Sequence, residues 1–355
     1  MVKRDRSKIQ VQIEKDVKGH IYLYFNRPVQ FANGGFKGLY RTREYGTWNK
    51  IAKGELLGEL DEFERINHER EVDILNHLAT VREDQRLGIN APVSASYKRI
   101  YSKQYDGDLY DLTRAENEFS DVDVDHDLDY KARYNIILDM LIGIESFHKL
   151  GYVYCDPKLE NTLASKTPVK NKFDIKLTDV GLAYRPDELL KTDNESQPFQ
   201  GSFEFVAPEI WLSELGRGPM WHGKSKIEKA KNAYKRDVFA MAVTAAELLG
   251  ESDTLAPWIA ACEKHLDNYG KALEKGDPEN QNHLIEYFNC SSELLNKTLS
   301  NESRNLLTNS KGDPLRNATN QIILDALAVD PTHRISSTEF KKRFTEIMNT
   351  FHLNY

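Results

Sequence analysis

An α+β fold in two packed units, a smaller β-rich one followed by a larger mainly helical one, is what this sequence predicts. Three observations lead there. The chain has 355 residues, enough for two cores rather than one. Its strand-like runs and a glycine-rich turn cluster before residue 106. Beyond that point the strongest patterns are long helical periodicities.

Composition narrows the function classes. A hydrophobic share of 40% and a charged share of 29% describe an ordinary globular chain. A net charge of -7 argues against broad binding to nucleic acid or acidic membranes, which favours a basic surface. The three cysteines, Cys155, Cys262 and Cys290, are too far apart for a zinc knuckle, and their sparse, odd count suits a reducing compartment. No apolar run approaches the roughly 18 residues that span a bilayer, and no apolar signal core follows the basic start MVKRDRSKIQ. The expectation is a cytoplasmic chain with no nucleic-acid partner and no membrane span.

In chain order, residues 1–19 read as a polar lead-in. Ile21–Phe25 (IYLYF) is a strand, and Asn33–Tyr40 (NGGFKGLY) is a glycine-rich turn between apolar flanks. Trp48–Leu56 is strand-like and carries Lys50 and Lys53. Leu60–Leu78 is a helix whose stripe is Phe63, Ile66, Val72, Leu75 and Leu78, with Glu71 among its charges. Ala91–Tyr105 holds two strands. The acidic run Asp121, Asp123, Asp125, Asp127 and Asp129 is not a calcium loop of the EF-hand type, because His126 and Ala132 stand where glycine and glutamate are needed. It reads as a solvated connector, with docking of basic segments as the alternative.

Helices are expected at Tyr130–Leu150, from Asp237 onward, at Ala256–Leu273 and Gln281–Leu307, and at about 315–327 and 338–351. The basic stretch Lys224–Lys235 reads as an exposed insertion within the 216–236 region. Between these helices lies Tyr152–Leu163, YVYCDPKLENTL. It sets an acid (Asp156), a base (Lys158) and an amide (Asn161) in one short polar loop held by apolar anchors. Further on, Asp179–Gly181 gives a second acid, an apolar residue and a glycine.

These two stretches resemble the catalytic loop H-R-D-x-K-x-x-N and the D-F-G triplet of eukaryotic-type serine/threonine protein kinases. The resemblance covers about residues 20–350 and implies the bilobal kinase fold, with a small lobe over 20–105 and a large lobe over 106–355. It implies ATP and Mg²⁺ as cofactors and a protein substrate, with a regulatory protein partner as a further expectation. In this reading Asp156 takes or orients the substrate hydroxyl, Lys158 neutralises the γ-phosphate, and Asn161 and Asp179 hold Mg²⁺. Lys53 holds the non-transferred phosphates and pairs with Glu71, 18 positions on. Asn33, Gly34, Gly35 and Gly38 form the phosphate-covering turn, and Leu163 joins the nucleotide contacts.

Ser202 would contact the catalytic acid and Lys158, Glu209 of the A-P-E triplet would pair with Arg334, and the Asp237 carboxylate would bind the catalytic-loop backbone. The gatekeeper is left open among Ser102–Gln104.

The departures point to a divergent member, similar to kinases that bacteria or viruses deploy in host cytosol. Tyr154 and Val180 replace the histidine and phenylalanine of the two motifs, and Cys155 replaces an arginine that binds a phosphorylated activation loop. Activity independent of such phosphorylation is therefore expected. Tyr40 and Ile51 are bulky where the family packs adenine, so a pseudokinase scaffold that binds a partner is the alternative function.

Overall fold

Seven strands, all paired antiparallel, build the first unit of the computed structural model, which describes residues 11–25, 30–34, 37–47, 49–113, 128–187, 201–202, 205–207, 209–210, 225–249, 313–328 and 330–354. They are β1 (Val11–Lys15), β2 (Ile21–Phe25), β3 (Gln30–Gly34), β4 (Lys37–Glu44), β5 (Lys50–Leu56), β6 (Pro92–Ala95) and β7 (Arg99–Lys103). The order is β1-β2-β4-β5-β7-β6, with β3 pairing β4. The first strand begins at Val11, inside the span read as a lead-in, so the sheet starts earlier than expected. Its hairpin is pinned locally. Gly19 takes φ +89°, and the Asp16 carboxylate accepts from the His20 backbone, the His20 ring and the Tyr22 hydroxyl.

Helix α1 (Glu62–Thr80) starts at a capping box in which Asp61 and Glu64 each satisfy the other's backbone N–H. Its buried face is His68, Glu71, Ile74, Leu75 and Leu78. Ile66, read as part of the apolar stripe, is 44% exposed, because the stripe follows 68, 71, 75 and 78 instead.

A connection over Gln104–Asp106 leads to the second unit; Gln104 N donates to Lys50 O and Asp106 N to Ala164 O, both at 3.0 Å. A three-stranded sheet of β8 (Gly107–Asp108), β9 (Thr162–Lys166) and β10 (Phe173–Leu177) lies beside this connection. The described helices of this unit are α2 (Leu109–Thr113), α3 (Tyr130–Lys149), α4 (Lys226–Asn232), α5 (Lys235–Leu249), α6 (Pro314–Ala326) and α7 (Ser337–Thr350). Helix α3 begins at Asp129, whose carboxylate caps the Ala132 N–H. The part of the basic stretch that is described forms the short helix α4 from its own capping box, Ser225 with Glu228. Most of the acidic run, Asp121–Asp127, and the expected helices at Ala256–Leu273 and Gln281–Leu307 lie outside the described residues.

One apolar core joins the two units. Ile74, Leu75 and Leu78 of α1 share it with Ile137, Met140 and Ile144 of α3, and with faces of α5, α6 and α7. The closest passage is at Gly88 and Gly143, where a Cβ on Gly88 would lie 2.6 Å from Gly143 N and one on Gly143 would lie 2.8 Å from Gly88 O. Gly88 also has φ +73°. Only glycine at both positions lets α3 and this loop touch backbone to backbone. Here Leu177 N donates to Gly88 O and Asn90 N to Leu177 O, both at 2.8 Å, so the loop after α1 is bonded to β10.

Candidate active site

The loop Tyr152–Leu163 is held from below by one buried carboxylate. Asp237, fully buried on α5, accepts from Tyr154 N at 2.7 Å, Cys155 N at 2.8 Å and the His148 ring at 2.9 Å. Thr244 of the same helix donates to Pro157 O at 2.8 Å. These bonds hold Cys155 at φ +80°, a conformation that costs a non-glycine residue free energy. Asp156 follows directly and is itself buried. His148 takes a structural place, bonded also to Ser337 Oγ at 2.7 Å.

Asp156 is the centre of a polar cluster. Asn161 Nδ2 donates to its Oδ2 at 2.7 Å and to its backbone carbonyl at 3.1 Å. Lys158 Nζ stands 3.1 Å from Oδ2, and Ser202 N donates to Oδ1 at 2.8 Å. The Lys158 ammonium also donates to Ser202 Oγ. Gly201, at φ +114°, makes this approach sterically feasible, since a Cβ there would lie 2.7 Å from Cys155 O. The amide of Asn161 spends its donors on Asp156, and no described residue donates to its Oδ1. That oxygen suits a hard cation.

Across the cleft Asp179, at φ +54°, keeps an exposed face. Loss of surrounding water raises its carboxyl pKa above the ordinary value. The like charges of Glu71 and Asp156 add to this rise, and Lys37 opposes it. Its exposure means that water offsets part of the first cause. A carboxylate set with excess negative charge and an amide oxygen together fit Mg²⁺ by donor chemistry. The buried Tyr154 ring packs on Phe147 at 4.9 Å, and its hydroxyl donates to Thr178 O. Cys155 is buried with Val153, Tyr184 and Ala233, and burial pushes its thiol pKa up, so it is an inert apolar filler.

The lysines of the sheet divide by face. Strand alternation sends Ile51, Lys53 and Glu55 to one face and Ala52 and Gly54 to the other. Lys53 Nζ bonds Glu55 Oε2 at 2.7 Å, lies 3.4 Å from Glu14 Oε2 and sits 5.0 Å above the Tyr40 ring. Ile51 packs with Tyr22 and Tyr101 on this outer face. The expected Lys53–Glu71 pair is therefore corrected: the partner of Glu71 is Lys37 of β4, whose ammonium donates to Glu71 Oε2. Burial alone would raise the Glu71 carboxyl pKa, but the hydrogen bond from His68 and the Lys37 charge bring it below the ordinary value. His68 bonds Glu71 at 3.1 Å and Tyr97 O at 2.6 Å, tying the pair to the β6–β7 turn.

Farther out, Glu209 and Arg334 form a buried two-bond pair at 2.7 and 2.8 Å. Arg334 also donates to Ala328 O and Lys235 O and lies over the Phe239 ring.

A model of the protein kinase domain matches residues 100–345, more than half of the chain. This chain belongs to the protein kinase domain family. Among curated proteins, the kinase domain is similar to human ribosomal protein S6 kinase alpha-4, at 38% identity over 22% of this chain and 10% of that protein. It is also similar to the Schizosaccharomyces pombe sporulation protein kinase mde3, at 43% over 15% of this chain and 10% of that protein. Against Xenopus laevis ribosomal protein S6 kinase 2 beta the identity is 31% over 29% of this chain and 14% of that one. The matches thus span at most about a seventh of these relatives' lengths. Among the described residues, no helix of this kinase domain is long and apolar enough to cross a membrane.

The kinase fold brings Asp156, Lys158 and Asn161 into one cluster and sets Asp179 and Glu71 within electrostatic reach. Asn33 and Gly34 end β3, Gly38 is the second residue of β4 and lies opposite Asn33, and Leu163 lies on β9 opposite Asp108; Gly35 lies outside the described residues. Ser102 pairs with Ala52, next to the connection between the units. Sequence reasoning missed Lys37 and His68. Lys37 had a signal, because it lies within the glycine-rich turn, two residues after Gly35.

Proposed function

We propose that this chain is an ATP-dependent serine/threonine protein kinase that works with Mg²⁺. The observation that carries the reading is the bonded cluster of Asp156, Lys158, Asn161 and Ser202 facing Asp179. Asp156 would receive or orient the substrate hydroxyl, since its carboxylate is fixed from two sides before any substrate arrives. Lys158 would carry positive charge beside the transferred group, held between Asp156 and Ser202. Asn161 and Asp179 would hold the cation, and Leu163, Asn33, Gly34 and Gly38 would line the nucleotide. Bound Mg²⁺ would neutralise the phosphate oxygens as charge develops on them.

A lysine at position 158 supports hydroxyl specificity of the serine/threonine type by resemblance to that class. Ile51 packs with Tyr22 and Tyr101 and Tyr40 lies under Lys53, both on the outer face of the sheet, which supports the enzymatic reading over a pseudokinase scaffold. Buried Cys155 supports activity without activation-loop phosphorylation.

The test is Mg²⁺-dependent incorporation of labelled phosphate into the protein itself and into a basic substrate protein. Wild type should be active, while Asp156→Asn and Asp179→Ala should fall by at least about 100-fold. Equal background counts in all three would refute the kinase reading.

A further inference from the structure

Phosphoryl transfer needs a fixed cation on the non-transferred phosphates, paired with an acid that aims it. The parity of β5 removes Lys53 from that place. Its neighbours on the outer face are Glu55, Glu14 and the Tyr40 ring, and Glu14 belongs to the added strand β1. Lys53 is 4% exposed and sits among carboxylates that also hold Arg99. This is a structural ion cluster joining β1, β5 and β7.

Lys37 opens β4 opposite Leu56, on the face of Leu39, Ala52 and Gly54. A Cβ on Gly54 would lie in ordinary contact, 3.6 Å from Leu39 Cδ2 and 3.8 Å from Lys37 Cδ, so the Lys37 stem runs directly over this position of β5. From there the ammonium reaches Glu71, and its field is felt at Asp179. Glu71 is fixed in turn by His68.

We propose that Lys37, the first residue of β4, is the residue that holds the non-transferred phosphates, with Glu71 as its positioning residue and Gly54 as the side-chain-free position beneath its stem. This inference rests on the kinase reading above. It moves the phosphate-binding cation from the middle of the sheet to the start of a strand, within the glycine-rich stretch that covers the phosphates. Cation and cover are then one hairpin.

The experiment compares kcat/KM and Mg·ATP affinity for wild type, Lys37→Met, Lys53→Met and the double variant Lys37→Met/Gly54→Lys, with thermal melts of each. Lys37→Met is expected to lose at least about 100-fold in kcat/KM and to weaken nucleotide binding. Lys53→Met is expected to keep most of the wild-type rate per folded molecule, and the double variant, with a lysine restored to the same face, to recover activity. Should Lys37→Met fail to fold, the double variant decides: recovered transfer supports the assignment, and a folded but inactive double variant overturns it. Wild-type rates in Lys37→Met, or a Lys53→Met as inactive as Asp156→Asn, would also overturn it while leaving the kinase reading intact. An inactive wild type would instead bring down the kinase reading itself.

Discussion

Asp237 offers the sharpest link between fold and chemistry. Replacing it with alanine leaves the Tyr154 and Cys155 N–H groups without their acceptor, in a place where both residues are buried. Each orphaned buried donor costs about 1–3 kcal/mol. The left-handed Cys155, stabilised by one of these bonds, would also be free to relax. A loss of about 2–6 kcal/mol follows, a large share of the roughly 5–15 kcal/mol that holds a typical domain. Asp237→Asn is the finer probe. It keeps one acceptor oxygen but turns an NH₂ toward the remaining donors, at about 1–3 kcal/mol.

The functional effect is separable from the stability effect. Asp156 directly follows Cys155, so relaxation there moves the carboxylate off its place, and a displacement of about 1 Å costs on the order of 100-fold in rate. Urea unfolding would give the stability change, and initial phosphotransfer rates normalised to folded protein would give the catalytic one. An Asp237→Asn protein with wild-type midpoint and wild-type rate would refute the argument that this carboxylate sets the loop.

Three further outcomes are expected. Arg334→Met leaves the buried Glu209 carboxylate uncompensated and should cost about 3–5 kcal/mol, whereas Arg334→Met with Glu209→Leu should recover much of it, as read from urea midpoints. Gly201→Ala puts a methyl group 2.7 Å from Cys155 O at φ +114°, so it should lower the melting temperature, separate Ser202 from Asp156 and lower transfer per folded molecule by at least about 10-fold. Asp139 on α3 is raised to about 6 by burial, with Asp174 adding to the rise and Lys176 and Lys172 opposing it. The folded state therefore keeps its proton longer than the unfolded chain. The stability this gives is full below about pH 4 and is lost as pH rises through about 6, by about 2–3 kcal/mol. Asp139→Asn should remove that pH dependence, seen as a smaller fall in urea midpoint between pH 4.5 and 7.5.

The site was legible where it is local. Asp156, Lys158 and Asn161 fall in one loop, so their spacing alone brings them together, and Glu209 with Arg334 followed from the family pattern across the chain. The sheet was less legible because both of its faces are covered. Ile51 is 2% exposed on the outer face, and the small Ala52 faces the cleft, so apolar alternation could not say which side Lys53 takes. Strand β1, VQIEK, hid in a polar stretch because Ile13 is 70% exposed and its ladder is held mainly by backbone bonds and the Glu14 ion pairs. In α1, Ile66 looked like core by composition, yet the helix turned its polar His68 and Glu71 inward to meet Tyr97 and Lys37.

The bonds around Gly88 make α1 a lever with a fixed end. Its C-terminal turn is tied to the second unit through Tyr152 and His77 at 2.9 Å, and the following loop through Leu177. Rotation of the helix can therefore only swing its far end. Glu71 lies six residues out from His77, an arm of about 9 Å. A tilt of about 10° would carry its carboxylate about 1.5 Å, more than a hydrogen bond tolerates. Because Lys37 rides on the sheet and Glu71 on the lever, their bond is an angle gauge: it closes at one inclination of α1 and opens at its neighbours.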